Sequence, residues 1–307
     1  MSAVLSLDRI VLICDAPLGL ARFYEQALGF TCSGSRIIAE PALGELLGVP
    51  EARAQRVTVT LGAQRVDLVR IEPGGRAYPE GILGPNALFQ HFAIEVPDMS
   101  RAMARLGTQS AWTNISVGGP QTLPPVSGGV TAFKFKDPEG HPLELITAAQ
   151  PAPDAVESRI AHSAVSVQST ARSVSFYAQL GLARTGGSLN IGVEQDRLDG
   201  IRAARVEVTA LNASSAPEPH LELLCYEDRF EPAPIASKPN DIAADWLVFT
   251  VRNEADLRLL LRRIGAADPP TRFADGTLRS LVRDPDGHWL CLEAPASSAQ
   301  PPVANPG

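Results

Sequence analysis

The chain repeats itself, and this constrains its fold more than any single motif does. Phe23-Tyr24-Glu25-Gln26-Ala27-Leu28-Gly29-Phe30 returns as Phe176-Tyr177-Ala178-Gln179-Leu180-Gly181-Leu182, one residue shorter. Lys136-Asp137-Pro138-Glu139-Gly140-His141 returns as Arg283-Asp284-Pro285-Asp286-Gly287-His288. The echoes keep their order and nearly their interval, as duplication of a whole domain would leave them. A length of 307 residues fits two domains. The expected division is a first domain at 1–147, an Ala- and Pro-rich linker at 148–158, a second domain at 159–295 and a disordered tail at 296–307.

Each half is doubled again. An alternating run from Leu7 to Ile13 precedes a helix predicted from Pro17 to Leu28, with Pro17 suited to the first turn and Gly29 to the C-terminal cap. Strand-like runs follow at Val57–Leu61 and Val66–Ile71. The pattern restarts at Phe89–Val96, with a short helix near Met99–Leu106 and strands at Thr131–Phe135 and Pro142–Ile146. The second half repeats it at Ile160–Val167, Ala171–Leu180, Arg205–Thr209 and His220–Tyr226. It restarts at Trp246–Val251, Ala255–Ile264, Leu278–Val282 and Trp289–Glu293. The reading is strand, helix and about three strands, four times over.

Composition removes several classes of partner. A net charge of −7 gives no electrostatic reason to bind nucleic acid or an anionic membrane. No run of 18 apolar residues predicts a membrane helix, and the N-terminus lacks a basic start before an apolar run. The four cysteines form no C-x-x-C pair, so neither a thiolate zinc site nor a disulfide scaffold is suggested, and a cytoplasmic home is expected.

Polar residues inside apolar strands are the candidates for chemistry. Successive strand side chains face opposite ways. His91 therefore opposes Phe92 and Ile94, Glu144 opposes Leu143 and Leu145, and Glu222 opposes Leu221 and Leu223, while His162 lies within Ile160–Val167. On a half-covered sheet such groups can simply face water. Under an apolar cover they need a partner or a metal. Two imidazoles and two carboxylates suit Zn²⁺, Ni²⁺, Mn²⁺, Co²⁺ or Fe²⁺. The repeat sets Arg9 against His162, Asp67 against Glu222, Trp246 against His91, and Cys291 against Glu144.

Over nearly its whole length the chain resembles the vicinal oxygen chelate superfamily, which includes glyoxalase I, extradiol dioxygenases, fosfomycin-resistance transferases and bleomycin-binding proteins. The resemblance is carried by Leu7-Asp8-Arg9-Ile10-Val11-Leu12, Phe23-Tyr24, Gln90-His91-Phe92-Ala93-Ile94-Glu95-Val96 and Phe135-Lys136-Asp137-Pro138-Glu139-Gly140-His141-Pro142-Leu143-Glu144-Leu145. Ile160-Ala161-His162-Ser163-Ala164-Val165, Phe176-Tyr177 and Asp284-Pro285-Asp286-Gly287-His288 carry it in the second half. It implies an α+β fold: four βαβββ units in two tandem domains, forming curved mixed sheets with cup-shaped clefts. It also implies ligand places on the first and last strand of each unit. If units one and two share a cup, neither cup has a full ligand set. If units two and three share one, it holds His91, Glu144, His162 and Glu222, the set of glyoxalase I. The other cup is then degenerate, with Arg9, Asp67, Trp246 and Cys291.

The favoured expectation is one divalent metal ion at the middle cup of a glyoxalase-like isomerase, lyase or epimerase. Glu144 or Glu222 would move a proton on a small substrate that chelates through neighbouring oxygens. The alternatives are an Fe²⁺ ring-cleaving dioxygenase at the same cup and a metal-free, drug-sequestering protein. A small molecule is the expected partner, with no nucleic acid or membrane; a homodimer is left open. The remaining polar residues have plainer expectations. His141 and His288 read as turn or strand-start residues, and His220 as a strand entry near solvent after Pro217 and Pro219. Tyr24 and Tyr177 read as packing residues, Arg9 as a surface salt bridge, and the Gly- and Pro-rich loop 118–129 as a cleft rim or an ordinary loop.

Overall fold

The computed structural model describes residues 3–149, 157–213, 216–233 and 237–295. Most of the expected linker and all of the expected tail lie outside the described residues. Unit one comprises β1 (Val4–Ile13), α1 (Pro17–Phe23), β2 (Thr31–Ile38), α2 (Pro41–Leu47), β3 (Arg53–Leu61) and β4 (Gln64–Glu72). Unit two comprises β5 (Gln90–Glu95), α3 (Met99–Leu106), the two-residue strands β6 (Thr113–Asn114) and β7 (Gln121–Thr122), then β8 (Thr131–Lys136) and β9 (Pro142–Thr147). Unit three comprises β10 (Arg159–Ser166), α4 (Thr170–Leu180), β11 (Leu182–Ile191), α5 (Val193–Asp199), β12 (Arg205–Ala213) and β13 (Ala216–Tyr226). Unit four comprises β14 (Trp246–Val251), α6 (Glu254–Arg263), β15 (Thr271–Arg272), β16 (Leu278–Arg283) and β17 (Trp289–Ala294).

Local chemistry sets the helix ends. Pro17 opens α1, which widens into a π-helical turn and stops at Gly29, whose φ of 88° only glycine adopts cheaply. Asp98, Ser169 and Asn253 cap α3, α4 and α6 by accepting from the backbone N–H three residues on. Among the described residues, no helix is long and apolar enough to cross a membrane.

The strands form two curved mixed sheets. The first has the order β15-β16-β17-β14-β1-β4-β3-β2 and so joins units one and four. The second runs β11-β12-β13-β10-β5-β9-β8-β6 and joins units two and three. Each seam is antiparallel, β1 with β14 and β5 with β10. One apolar face of each sheet packs with the helices in a single large core containing Leu12, Leu68, Phe92, Leu143, Val165, Leu223, Phe249 and Leu292. The opposite faces are the concave ones.

Two latches tie one sheet to the other. His141, at the entry to β9, donates through Nδ1 to Asp137 Oδ2 at 2.9 Å, and its Nε2 lies 3.0 Å from the Ile13 carbonyl oxygen at the end of β1. Tyr24 Oη donates to the same Asp137, and Glu139 accepts from the backbone N–H groups of Asp15 and Ala16, just before α1. In the second half His288 Nε2 meets the Ser166 carbonyl, Tyr177 Oη donates to Asp284, and Asp286 pairs with Arg172. Both histidines thus occupy the expected turn places and, in addition, bind buried backbone.

Candidate metal centre

Strand register gathers the sequence candidates on one concave face. In the second sheet, His220 on β13, His162 on β10, Ala93 on β5, Glu144 on β9 and Lys134 on β8 form one cross-strand row. The adjacent row holds Ala210, Glu222, Ala164 and His91. His91 Nε2 lies 3.2 Å from Glu144 Oε2, and His162 Nε2 lies 3.5 Å from both Glu144 Oε2 and Glu222 Oε2. His220 Nε2 is 3.2 Å from Glu222 Oε1. His220 was expected at a solvent-side strand entry. It instead lies within β13, half-buried against Glu222, because the strand begins before Pro217 and Pro219 rather than after them.

The four predicted ligands line one cavity, together with His220. Their donor atoms fall into two overlapping triads, each within 4.8 Å: His91, Glu144 and His162, and then His162, His220 and Glu222. His162 is shared. Its Nε2 is buried and has no hydrogen-bond partner, although two carboxylate oxygens flank it. Buried polar atoms are rarely left so, and a bare imidazole nitrogen between carboxylates suits a cation.

The electrostatics are those of a donor cluster that keeps its charge. Burial opposes ionisation of Glu144, yet Lys134 and the neighbouring imidazoles hold its carboxyl well below the usual range. Burial likewise opposes ionisation of Glu222, which His162 and His220 overcome. Burial pushes His91 down, towards the neutral form that a metal requires. His162 goes the other way despite burial, because Glu222 and Glu144 stabilise its protonated ring.

The first sheet shows what removes such a site. Its equivalent rows read Arg65, Arg9, Val248, Cys291 and Leu281, then Thr58, Asp67, Val11, Trp246 and Trp289. Val248 and Val11 stand where the second sheet has Ala93 and Ala164. Both valines pack with Trp246 and Cys291 in the apolar cluster of this cup. Apolar α2 adds Leu43 and Leu47, and Phe273 closes the cluster. The remaining cavity is about 50 Å³, against about 450 Å³ in the second cup.

Arg9, expected at the surface, is only 8% exposed in this filled cup. It donates to Asp67 at 3.1 Å and to Glu293 at 2.7 Å. A guanidinium buried so deeply requires these anions, and they sit on the neighbouring elements that the repeat supplies. Burial raises the Cys291 thiol to about 12, so it stays protonated.

The wall of the second cup holds residues that the sequence reading did not single out. Lys134 Nζ donates to Asp199 Oδ1 at 2.7 Å, while Gln195 Nε2 and Tyr226 Oη donate to Asp199 Oδ2. Gln195 and Asp199 come from α5, the counterpart of the apolar plug α2. Strand alternation in Thr131–Lys136 puts Lys134 opposite Phe133 and Phe135, the same signal that marked Glu144. Leu123, Val126, Ser127 and Gly128 of the Gly- and Pro-rich loop line the rim of the cavity.

Comparison with known proteins agrees with this architecture. Residues 159–292 match the Glyoxalase/Bleomycin resistance protein/Dioxygenase superfamily. No curated protein matches the chain in sequence. Glyoxalase I from Zea mays superimposes with a TM-score of 0.64 at 16% identity, covering 96% of this chain and 92% of that one. A putative dioxygenase from Bacillus subtilis gives a TM-score of 0.56 at 11% identity, covering 96% and 86%. The second half of the chain is thus similar to the Glyoxalase/Bleomycin resistance protein/Dioxygenase superfamily, and nearly the whole chain shares the fold of glyoxalase I.

Proposed function

We propose that the protein is a divalent-metal-dependent enzyme of the glyoxalase-like kind, an isomerase, lyase or epimerase acting on a small molecule with neighbouring oxygens. The observation that carries this is the buried His162 Nε2, without a hydrogen bond, 3.5 Å from both Glu144 and Glu222 in an open cavity. His91, Glu144, His162 and Glu222 would hold the ion. When bound, the ion supplies a Lewis acid for a carbonyl or enolate oxygen. The chain's own residues do the rest. Lys134 and the imidazoles keep Glu144 ionised, so it is a fixed anionic donor. Glu222 is 20% exposed at its side chain and faces the open cavity, which suits it to take a proton from the substrate and return it.

Metal analysis of protein purified without chelators tests the reading. One divalent ion per chain is expected in wild type, and its loss in a His91→Ala, His162→Ala double variant. Equal, negligible metal in both proteins refutes it and favours a ligand-sequestering role. Retained metal with lost turnover in Glu222→Gln would support the base. A second reading, an Fe²⁺ dioxygenase, is favoured by the triad of two histidines and one carboxylate, His91, His162 and Glu144. Oxygen uptake with a catechol panel separates the two.

A further inference from the structure

We infer that His220 is a third imidazole donor in this cup, so that the cation is held by three histidines and not by the two of the expected set. The inference rests on the metal reading above and deepens it. His220 Nε2 and the donor atoms of His162 and Glu222 lie within 4.8 Å of one another. Parallel pairing of β10 with β13 sets His220 directly across from His162, with ring centroids 5.3 Å apart. The two triads cannot be two separate sites. Both include His162, whose Nε2 lies 3.5 Å from Glu144 and from Glu222 alike, and one imidazole nitrogen has one lone pair to give. Joined as one centre they put His162 in the middle, His91 and Glu144 on one side, and His220 and Glu222 on the other.

The two sides differ in exposure. Glu144 is 8% exposed and held beside His91 and Lys134, whereas Glu222 is 20% exposed with His220 as its hydrogen-bond partner. Glu222 is therefore the carboxylate free to swing towards substrate. His220 touches it, and three imidazoles would still hold the cation when Glu222 swings away. Three imidazoles also bias the cup towards Zn²⁺, Ni²⁺ or Co²⁺ over the oxygen-preferring Mg²⁺ and Ca²⁺.

X-ray absorption spectroscopy on the full chain loaded with Zn²⁺ tests this, because imidazole scattering counts bound histidines. Wild type is expected to show three, and His220→Ala and His220→Gln two, with Zn²⁺ affinity in both variants lower by roughly tenfold or more. Excess Mg²⁺ is expected not to displace Zn²⁺. Two imidazoles in wild type overturn the inference and leave the metal reading standing, and this result needs no variant to fold. An imidazole count that His220→Gln leaves unchanged also overturns it. A wild type that takes up no Zn²⁺ refutes the metal reading itself, and the inference with it.

Discussion

Replacing Asp137 by Asn should cost stability in a way that depends on pH. Asp137 lies in the first latch, against His141, and both are buried. Burial opposes protonation of His141, yet Asp137, and after it Asp245, raise the ring's pKa from 6.5 to about 10. That rise is worth about 5 kcal/mol of preference for the charged ring. His141's folded pKa lies above its unfolded one, so its contribution is complete below about 6.5 and disappears as pH climbs through about 10. About 4 kcal/mol remains at pH 7 and less than about 1 kcal/mol at pH 10. Asp137 is the larger of the two sources, so Asp137→Asn should lose about 3 kcal/mol at pH 7, at the low end for breaking a buried ion pair. Urea denaturation of wild type and variant at several pH values measures the difference, and subtraction cancels groups that the mutation leaves alone. The gap should shrink steadily between pH 7 and pH 10. A variant within about 1 kcal/mol of wild type at pH 7, or a gap that stays constant to pH 10, would refute the reasoning.

Ala93→Val should copy the filled cup into the open one, abolishing Zn²⁺ uptake while leaving the melting temperature nearly unchanged; calorimetry and metal analysis on the same sample check both halves. Arg9→Met should strand Asp67 and Glu293 in a buried site and lower stability by about 3–5 kcal/mol, with metal content unaffected; denaturant titration reads the loss. Lys134→Met should remove the main charge that holds Glu144 ionised. The Glu144 carboxyl would then rise, so Zn²⁺ should be released at a higher pH than in wild type on acid titration; an unchanged release curve would contradict this.

Side-chain alternation made the buried strands legible. Every run that the sequence marks, from Leu7–Ile13 to Trp289–Glu293, lies within or overlaps an observed strand or helix. The omissions share one physical cause. β2 and β11 are largely exposed edge strands carrying Ser33, Gly34, Gly186 and Gly187, so neither shows an apolar face. The short helices α2 and α5 follow them as caps over the cups, not as core elements. Backbone patterns carried no information on which units share a sheet; the chemistry of His91, Glu144, His162 and Glu222 did. His220 read as a strand entry near solvent in preference to a cleft residue because two prolines precede it, whereas the strand starts at Ala216. The repeat placed Arg9 in the degenerate cup, but its burial was not legible, because a surface salt bridge is the ordinary setting of an arginine. Asp199 and Gln195 reach the cup from a helix, where no strand alternation could reveal them.

Each cup takes one unit from each half of the chain, while the latches bind units within a half and across the sheets. The arrangement is that of two copies embracing, fused head to tail. Two separate identical copies would build two identical cups, and any substitution in one would appear in the other. Joining them in one chain breaks that bond. Val11, Val248 and Arg9 could then fill one cup as a solid buttress, while Ala164, Ala93 and His162 kept the other open. The filled cup is thus the counterweight to the open one: the same frame, with its hollow packed by apolar side chains and a buried ion pair.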